Sequence, residues 1–120
     1  MAKTQPFSAQ VRQTGKVVTI DLHGEVDSFA SNRLHEAYSE VEQFDPPVIL
    51  LNFSDVSYIN STGIALIVSL LAQARKMHRK VCVYGLTDHY ITIFQITRLA
   101  DFMSIYPNED SALADAAALG

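Results

Sequence analysis

The sequence predicts an α/β domain with a small mixed, mostly parallel β-sheet and about four helices. Three observations lead there. Val18, Ile20 and Leu22 alternate with Val17, Thr19 and Asp21, the period-two signature of a half-buried strand. Val48-Ile49-Leu50-Leu51-Asn52-Phe53 is a continuous apolar run between turn signals, as in a central strand covered on both faces. Beyond it, segments with helical spacing separate short apolar runs, and this alternation implies parallel strands joined by right-handed crossover helices.

The elements follow in order. Ala9–Arg12 and Lys16–Leu22 read as a hairpin closed near Thr14-Gly15, with Gly24 breaking the second strand. Ala30–Phe44 carries Leu34, Ala37, Tyr38, Val41 and Phe44 at three- and four-residue spacing, which makes it an amphipathic helix. Pro46-Pro47 ends it, because proline restricts both its own backbone and that of the residue before it. After the Val48–Phe53 strand comes a short β-like segment, Val56–Ile59, and then a second helix over Ser61–His78. Lys80–Tyr84 is another short strand, and His89–Leu99 a third helix with Ile93, Ile96 and Leu99 on one side. Ser104-Ile105-Tyr106 forms a last strand, and Asn108–Ser111 caps a terminal Ala-rich helix, Ala112–Leu119. Residues 7–120 thus read as a single domain behind a flexible N-terminus, residues 1–6.

Composition narrows the function. The 120 residues are 48% apolar and 18% charged, which suits one globular domain and not a disordered chain. A net charge of −4 without a basic run argues against nucleic acid and anionic membrane as partners. Cys82, the lone cysteine, lies in an apolar strand, so no disulfide forms within the chain and a reducing compartment is expected. No apolar run reaches the roughly 20 residues of a membrane span, and Met1–Pro6 lacks the apolar core of a secretion signal. A cytoplasmic protein is expected.

No catalytic or metal-binding pattern emerges. His23, His35, His78 and His89 are scattered without metal-ligand spacing. Ser61 lacks a Gly-x-Ser-x-Gly context, and the isolated glycines form no phosphate loop. Neither an enzyme, a cofactor nor a bound metal is expected.

Asn60-Ser61-Thr62-Gly63 is the informative stretch, opening an almost wholly apolar helix directly after a β-like run. At about 100° per residue, Ile64, Ile67, Leu70, Leu71 and Ala74 gather on a core face, and Thr62, Ser69, Gln73 and Lys76 on a wet one. Along the boundary run Ser61, Ala65, Val68 and Ala72. Such a strip of small apolar residues either packs on a neighbouring helix or forms a docking ridge. A phosphate at its head would meet favourable electrostatics, because helix N-termini stabilise anions.

In these features the chain resembles the STAS superfamily, particularly bacterial anti-sigma factor antagonists. The resemblance spans about Phe7 to Leu119. It rests on Gly24-Glu25-Val26-Asp27, on Val48–Phe53 followed by Asp55-Val56-Ser57-Tyr58-Ile59-Asn60-Ser61-Thr62-Gly63, on Lys80–Gly85, and on Ile105-Tyr106-Pro107 before Ala112-Leu113. It implies a sheet with helices packed mainly on one face. It also implies a partner switch, in which the unmodified protein occupies a serine kinase of the histidine-kinase-like ATPase type that doubles as an anti-sigma factor. Phosphorylation of the motif serine, here Ser61, ends the binding, and a serine phosphatase restores it. The resemblance adds Asp27 to the strip read from helical spacing, so the expected partner-binding residues are Asp27, Asn60, Thr62, Gly63, Ala65, Val68 and Ala72, and a monomer or weak dimer is expected. One departure stands out: family members commonly carry Asp before the serine, where this chain has Asn60. Rival readings are a scaffold of a stress-signalling assembly, an antagonist controlling a non-sigma effector, and a nucleotide sensor. A transporter-associated domain is disfavoured by the lack of a membrane segment.

Overall fold

The computed structural model describes residues 6–119, so the expected flexible segment lies, apart from Pro6, outside the described residues. Five strands form one sheet in the order of the chain: β1 (Ser8–Thr14), β2 (Val17–Val26), β3 (Val48–Ile59), β4 (Lys80–Tyr84) and β5 (Ser104–Tyr106). β1 and β2 are antiparallel, and every later neighbour pair is parallel. The helices are α1 (Ser31–Phe44), α2 (Ser61–Lys76), α3 (Asp88–Ile96) and α4 (Glu109–Leu119), with 3-10 turns at Ser28–Ala30 and Leu99–Phe102.

Two cores lie on the two faces of the sheet. Ile20 and Leu22 of β2 and Ile49, Leu51 and Phe53 of β3 pack under α1, α2 and α3. The Phe53 ring meets Phe94 of α3 edge-on, with centroids 6.2 Å apart. On the opposite face, Val17, Val48, Leu50, Cys82 and Tyr84 meet Ala112 and Ala116 of α4. Three helices therefore share one face, and α4 alone covers the other. β3 is buried on both sides along Val48–Leu51, as its unbroken apolar run requires.

Five local expectations need correction. Gly24 does not end β2, which continues to Val26 through register shifts at Asp21/His23 and Gly24/Glu25. Gly24 has φ +86°, a left-handed value that glycine tolerates, so the strand bends there without stopping. Val56–Ile59 is not a separate segment, because β3 runs unbroken from Val48 to Ile59. α3 ends at Ile96, and its buried residues are Tyr90 and Phe94, whereas Ile96 is exposed. Phe44 likewise leaves the core, being exposed at the last position of α1, where Asp45 turns left-handed at φ 45° ahead of the prolines. The terminal helix starts earlier than expected, at Glu109, with Asn108 Oδ1 accepting from Ser111 N at 2.9 Å.

A buried arginine fixes the end of the molecule remote from the start of α2. Arg79 donates to Pro46 O at 3.1 Å and to Asp45 Oδ1 at 2.8 Å, and it also reaches Tyr38 Oη. These bonds tie the turn before β4 to the end of α1.

Candidate functional site

The site forms where β2 and β3 end. Val26 pairs with Ile59 in a parallel ladder, so the two chains leave the sheet side by side at their carboxyl ends. In α/β sheets that edge is where ligands and partners are commonly met. Asn60 N donates to Val26 O at 3.2 Å, which brings Asp27 beside the start of α2. The hydroxyl of Tyr90, buried in α3, accepts from Ile59 N at 2.8 Å and faces Ile59 O at 3.4 Å. This clamp holds the last residue of β3 before the chain turns into the helix.

The helix cap is Asn60. Its backbone is extended, and its Oδ1 accepts from Gly63 N at 2.8 Å. The opening of α2 therefore does not depend on Ser61, the first helical residue, which is exposed together with Thr62. The first amides of a helix have no partner within it, so a negative group at this end lies in a favourable field. The first turn of α2 holds no acidic side chain, while Arg75 and Lys76 complement the dipole at its far end.

Asp27 caps the neighbouring 3-10 turn, its Oδ1 accepting from Phe29 N at 2.9 Å. That turn displays Phe29, which is 89% exposed. Ala65, Val68 and Ala72 are exposed along α2, so the boundary strip of that helix is not covered by a neighbouring helix. Gly63 stands apart from the other expected contact residues because it is buried, its α-carbon pressed on Val26 O. Its part is to let the helix approach the strand end. Asn60, half-buried, has its side-chain oxygen committed to the cap.

Three features escape a reading of the sequence. Phe29 has the composition of a core residue and is displayed because the Asp27 cap turns the chain there. The Tyr90 clamp joins residues 31 positions apart. His23 and Asp55 come together, Nδ1 to Oδ2 at 3.2 Å, which follows from the β2–β3 register. That register could have been anticipated from the parallel pairing, but not its shifts. Among the described residues, no group of three or more His, Cys, Asp and Glu could hold a metal ion. No described helix is long and apolar enough to cross a membrane.

A model of the STAS domain matches residues 8–112, nearly the whole described chain. The chain belongs to the STAS-domain family. Within it, this STAS domain is similar to the anti-sigma-B factor antagonist of Staphylococcus aureus, 29% identical over 90 residues, or 75% of this chain and 83% of that protein. Its fold is similar to that of an anti-sigma factor antagonist from Mycobacterium paratuberculosis, with a TM-score of 0.81 at 20% identity, covering 96% of this chain and 99% of the other. It is also similar to the Bacillus cell fate determinant SpoIIAA in its phosphorylated form, with a TM-score of 0.70 at 21% identity over 90% and 98% of the two chains. A mostly parallel five-stranded sheet with four helices is thus the STAS architecture here.

Proposed function

We propose that this STAS domain is an anti-sigma factor antagonist working by partner switching. Unmodified, it docks on a serine kinase of the histidine-kinase-like ATPase type that also serves as the anti-sigma factor. The docking surface comprises Ser61, Thr62, the strip Ala65–Val68–Ala72, and Asp27 with its neighbour Phe29. The observation that carries the reading is the division of labour at the head of α2: Asn60 makes the cap, and Ser61 stands exposed beside it. Similarity to anti-sigma factor antagonists and to a phosphorylated structural neighbour supports the same reading.

The switch follows from charge. Phosphorylation of Ser61 adds about −1.5 to −2 charges at neutral pH. The helix N-terminus accommodates that charge in the free protein, so the modified form stays folded. In the complex the same charge is desolvated against an apolar strip, with Asp27 nearby, and without a cationic partner it is costly. Dissociation follows, and a serine phosphatase resets the cycle. The chain acts as a regulatory binding protein and not as an enzyme.

The test uses the unmodified chain and its Ser61→Ala and Ser61→Asp variants as baits for the kinase, with site-resolved mass spectrometry of the native protein. Retention by Ser61→Ala and loss with Ser61→Asp, together with phosphate on Ser61, is the expected result. Equal retention by both variants would sink the switch, and phosphate on Thr62 alone would move it by one residue.

A further inference from the structure

The far end of α2 carries a second surface. An open groove of about 700 Å³ lies between the end of α2, the start of β4 and the segment joining α3 to β5. Its floor is apolar, built from Leu71, Val81 and Met103, with half-exposed Phe102 at the side. Its rim carries the cations Arg75 and Lys80, with His78 between them in sequence.

Arg75 and Lys80 hold no carboxylate among the described residues. Arg12, Arg33, Arg79 and Arg98 each hold a carboxylate. Among the described residues, Lys16, Arg75, Lys76 and Lys80 hold none, and all of these except Lys16 stand at this end of the molecule. Arg75 lies over the Phe102 ring, 5.0 Å from its centre, which keeps its guanidinium at the groove with its donors free. Asp101, the carboxylate in the wall, is occupied by Arg98 at 2.7 Å. In a chain of net charge −4, free cations gathered around an apolar floor are a local reversal of sign.

We infer that this groove docks an acidic peptide segment of a partner protein, one in which carboxylates alternate with apolar side chains. The apolar residues fill the floor, and the carboxylates meet Arg75 and Lys80. A compact phosphate is a poorer fit. The end of α2 at the groove is its carbonyl end, whose field repels a dense anion, and the cations stand apart on long stems. Spaced carboxylates match that arrangement. Leu71 and Arg75 follow Ser61 along α2 by ten and fourteen residues, so at about 1.5 Å per residue the groove lies about 15 to 21 Å along the helix from Ser61. The two surfaces can be occupied together, and the inference does not depend on the role of Ser61.

The probe is a fluorescein-labelled peptide of alternating Glu and Leu, titrated by anisotropy against the full chain. Saturable binding is expected, weakened about tenfold by the double variant Arg75→Glu/Lys80→Glu and little changed by Lys16→Glu, a charge reversal elsewhere. Raising salt from about 0.1 to about 1 M, which shortens the screening length from about 10 to about 3 Å, should weaken it too. Methyl signals of Leu71, Val81 and Met103 should shift while the Ser61 amide stays in place. Absence of saturable binding, indifference to the double variant, or displacement of the peptide by inorganic phosphate overturns the inference. Ser61→Asp should leave the titration unchanged, so failure here is distinguishable from failure of the switch. Both reversed residues are exposed, and circular dichroism of the double variant checks that it folds.

Discussion

The α-carbon of Gly63 lies against the carbonyl oxygen of Val26, so closely that any β-carbon placed there would overlap that oxygen. Helix propensity alone would have Ala stabilise this position by about 1 kcal/mol. Overpacking against backbone opposes this with about 1–3 kcal/mol, and backbone cannot swing aside as a flexible side chain can. Gly63→Ala is therefore expected to lower the urea midpoint. A rise in the midpoint would show that α2 has room to move away from Asp27.

Asn60 is the cap, and its two simplest replacements separate capping from charge. Asn60→Ala should cost about 1 kcal/mol, because Gly63 N loses its acceptor. Asn60→Asp puts a carboxylate at the same position and keeps the cap, so its stability should stay within about 0.5 kcal/mol of the parent. Thermal melts of the pair decide the point. Equal losses from both would mean that the cap contributes through packing and not through its oxygen.

Removing one oxygen from Tyr90 should loosen the site without opening the core. Tyr90→Phe leaves the Ile59 amide without its 2.8 Å acceptor in a buried setting, at a cost of about 1–3 kcal/mol. Amide exchange at Ile59 and Asn60 is expected to accelerate beyond the global change. Uniform acceleration throughout the domain would argue against a local clamp.

Phe29 offers the converse case, a large apolar side chain whose loss costs the fold little. At 89% exposure it contributes almost nothing to the core, so Phe29→Ala should shift stability by less than about 0.5 kcal/mol. Aromatic anchors at interface centres commonly contribute about 2 kcal/mol or more to binding. Calorimetry with the proposed kinase should then show weaker binding for this variant, and unchanged affinity would place the interface elsewhere.

Stability should fall at both extremes of pH through one polar network on the α4 face. Arg12 Nε donates to Asp21 Oδ2 at 2.7 Å, Asn52 donates to Asp21 Oδ1 at 2.7 Å, and Arg12 also reaches Glu109 at 2.8 Å. Burial pushes the Asp21 carboxyl up, but the bonds from Arg12 and Asn52 outweigh it and hold the group below the usual range. A depressed folded value means the contribution is complete above the ordinary aspartate value of about 3.9 and is lost as pH falls through the folded one. Tyr84 behaves in the opposite sense, its phenol pushed up to about 12 by burial and by Glu109. Its contribution is complete below the ordinary tyrosine value of about 10 and fades as pH rises through the folded value. Denaturation midpoints across pH should show Asp21→Asn flattening the acid limb and Tyr84→Phe the alkaline limb. A variant whose limb keeps its slope removes its residue from that account.

Much of this was legible in the residues. Order and type of the elements followed from periodicity, and helical spacing placed the strip Ala65–Val68–Ala72 at the boundary of α2, while its exposure depends on where the neighbouring helices lie. The misreadings share a physical cause. Glycine ordinarily breaks a strand, but Gly24 sits where a register shift needs a positive φ and pairing resumes beyond it. Ser54 and Asp55 look like a turn, yet β3 carries them because β2 extends alongside. Phe44 and Ile96 have core chemistry but stand at helix ends beyond the reach of the sheet, a tertiary fact with no local signature. The Tyr90 clamp is of the same kind.

The sheet runs β1 to β5 in the order of the chain, so no strand is inserted between two that are already made. Every edge that a new strand must find has emerged from the ribosome before it, and only the connection between them, a turn for β1 and β2 and a helical crossover thereafter, has to be closed. Assembly can therefore keep pace with synthesis, leaving little time for an unpaired strand to meet the wrong neighbour. The surface at the head of α2 needs only β2, β3 and the clamp from α3, so its parts are complete before β5 and α4 have been made.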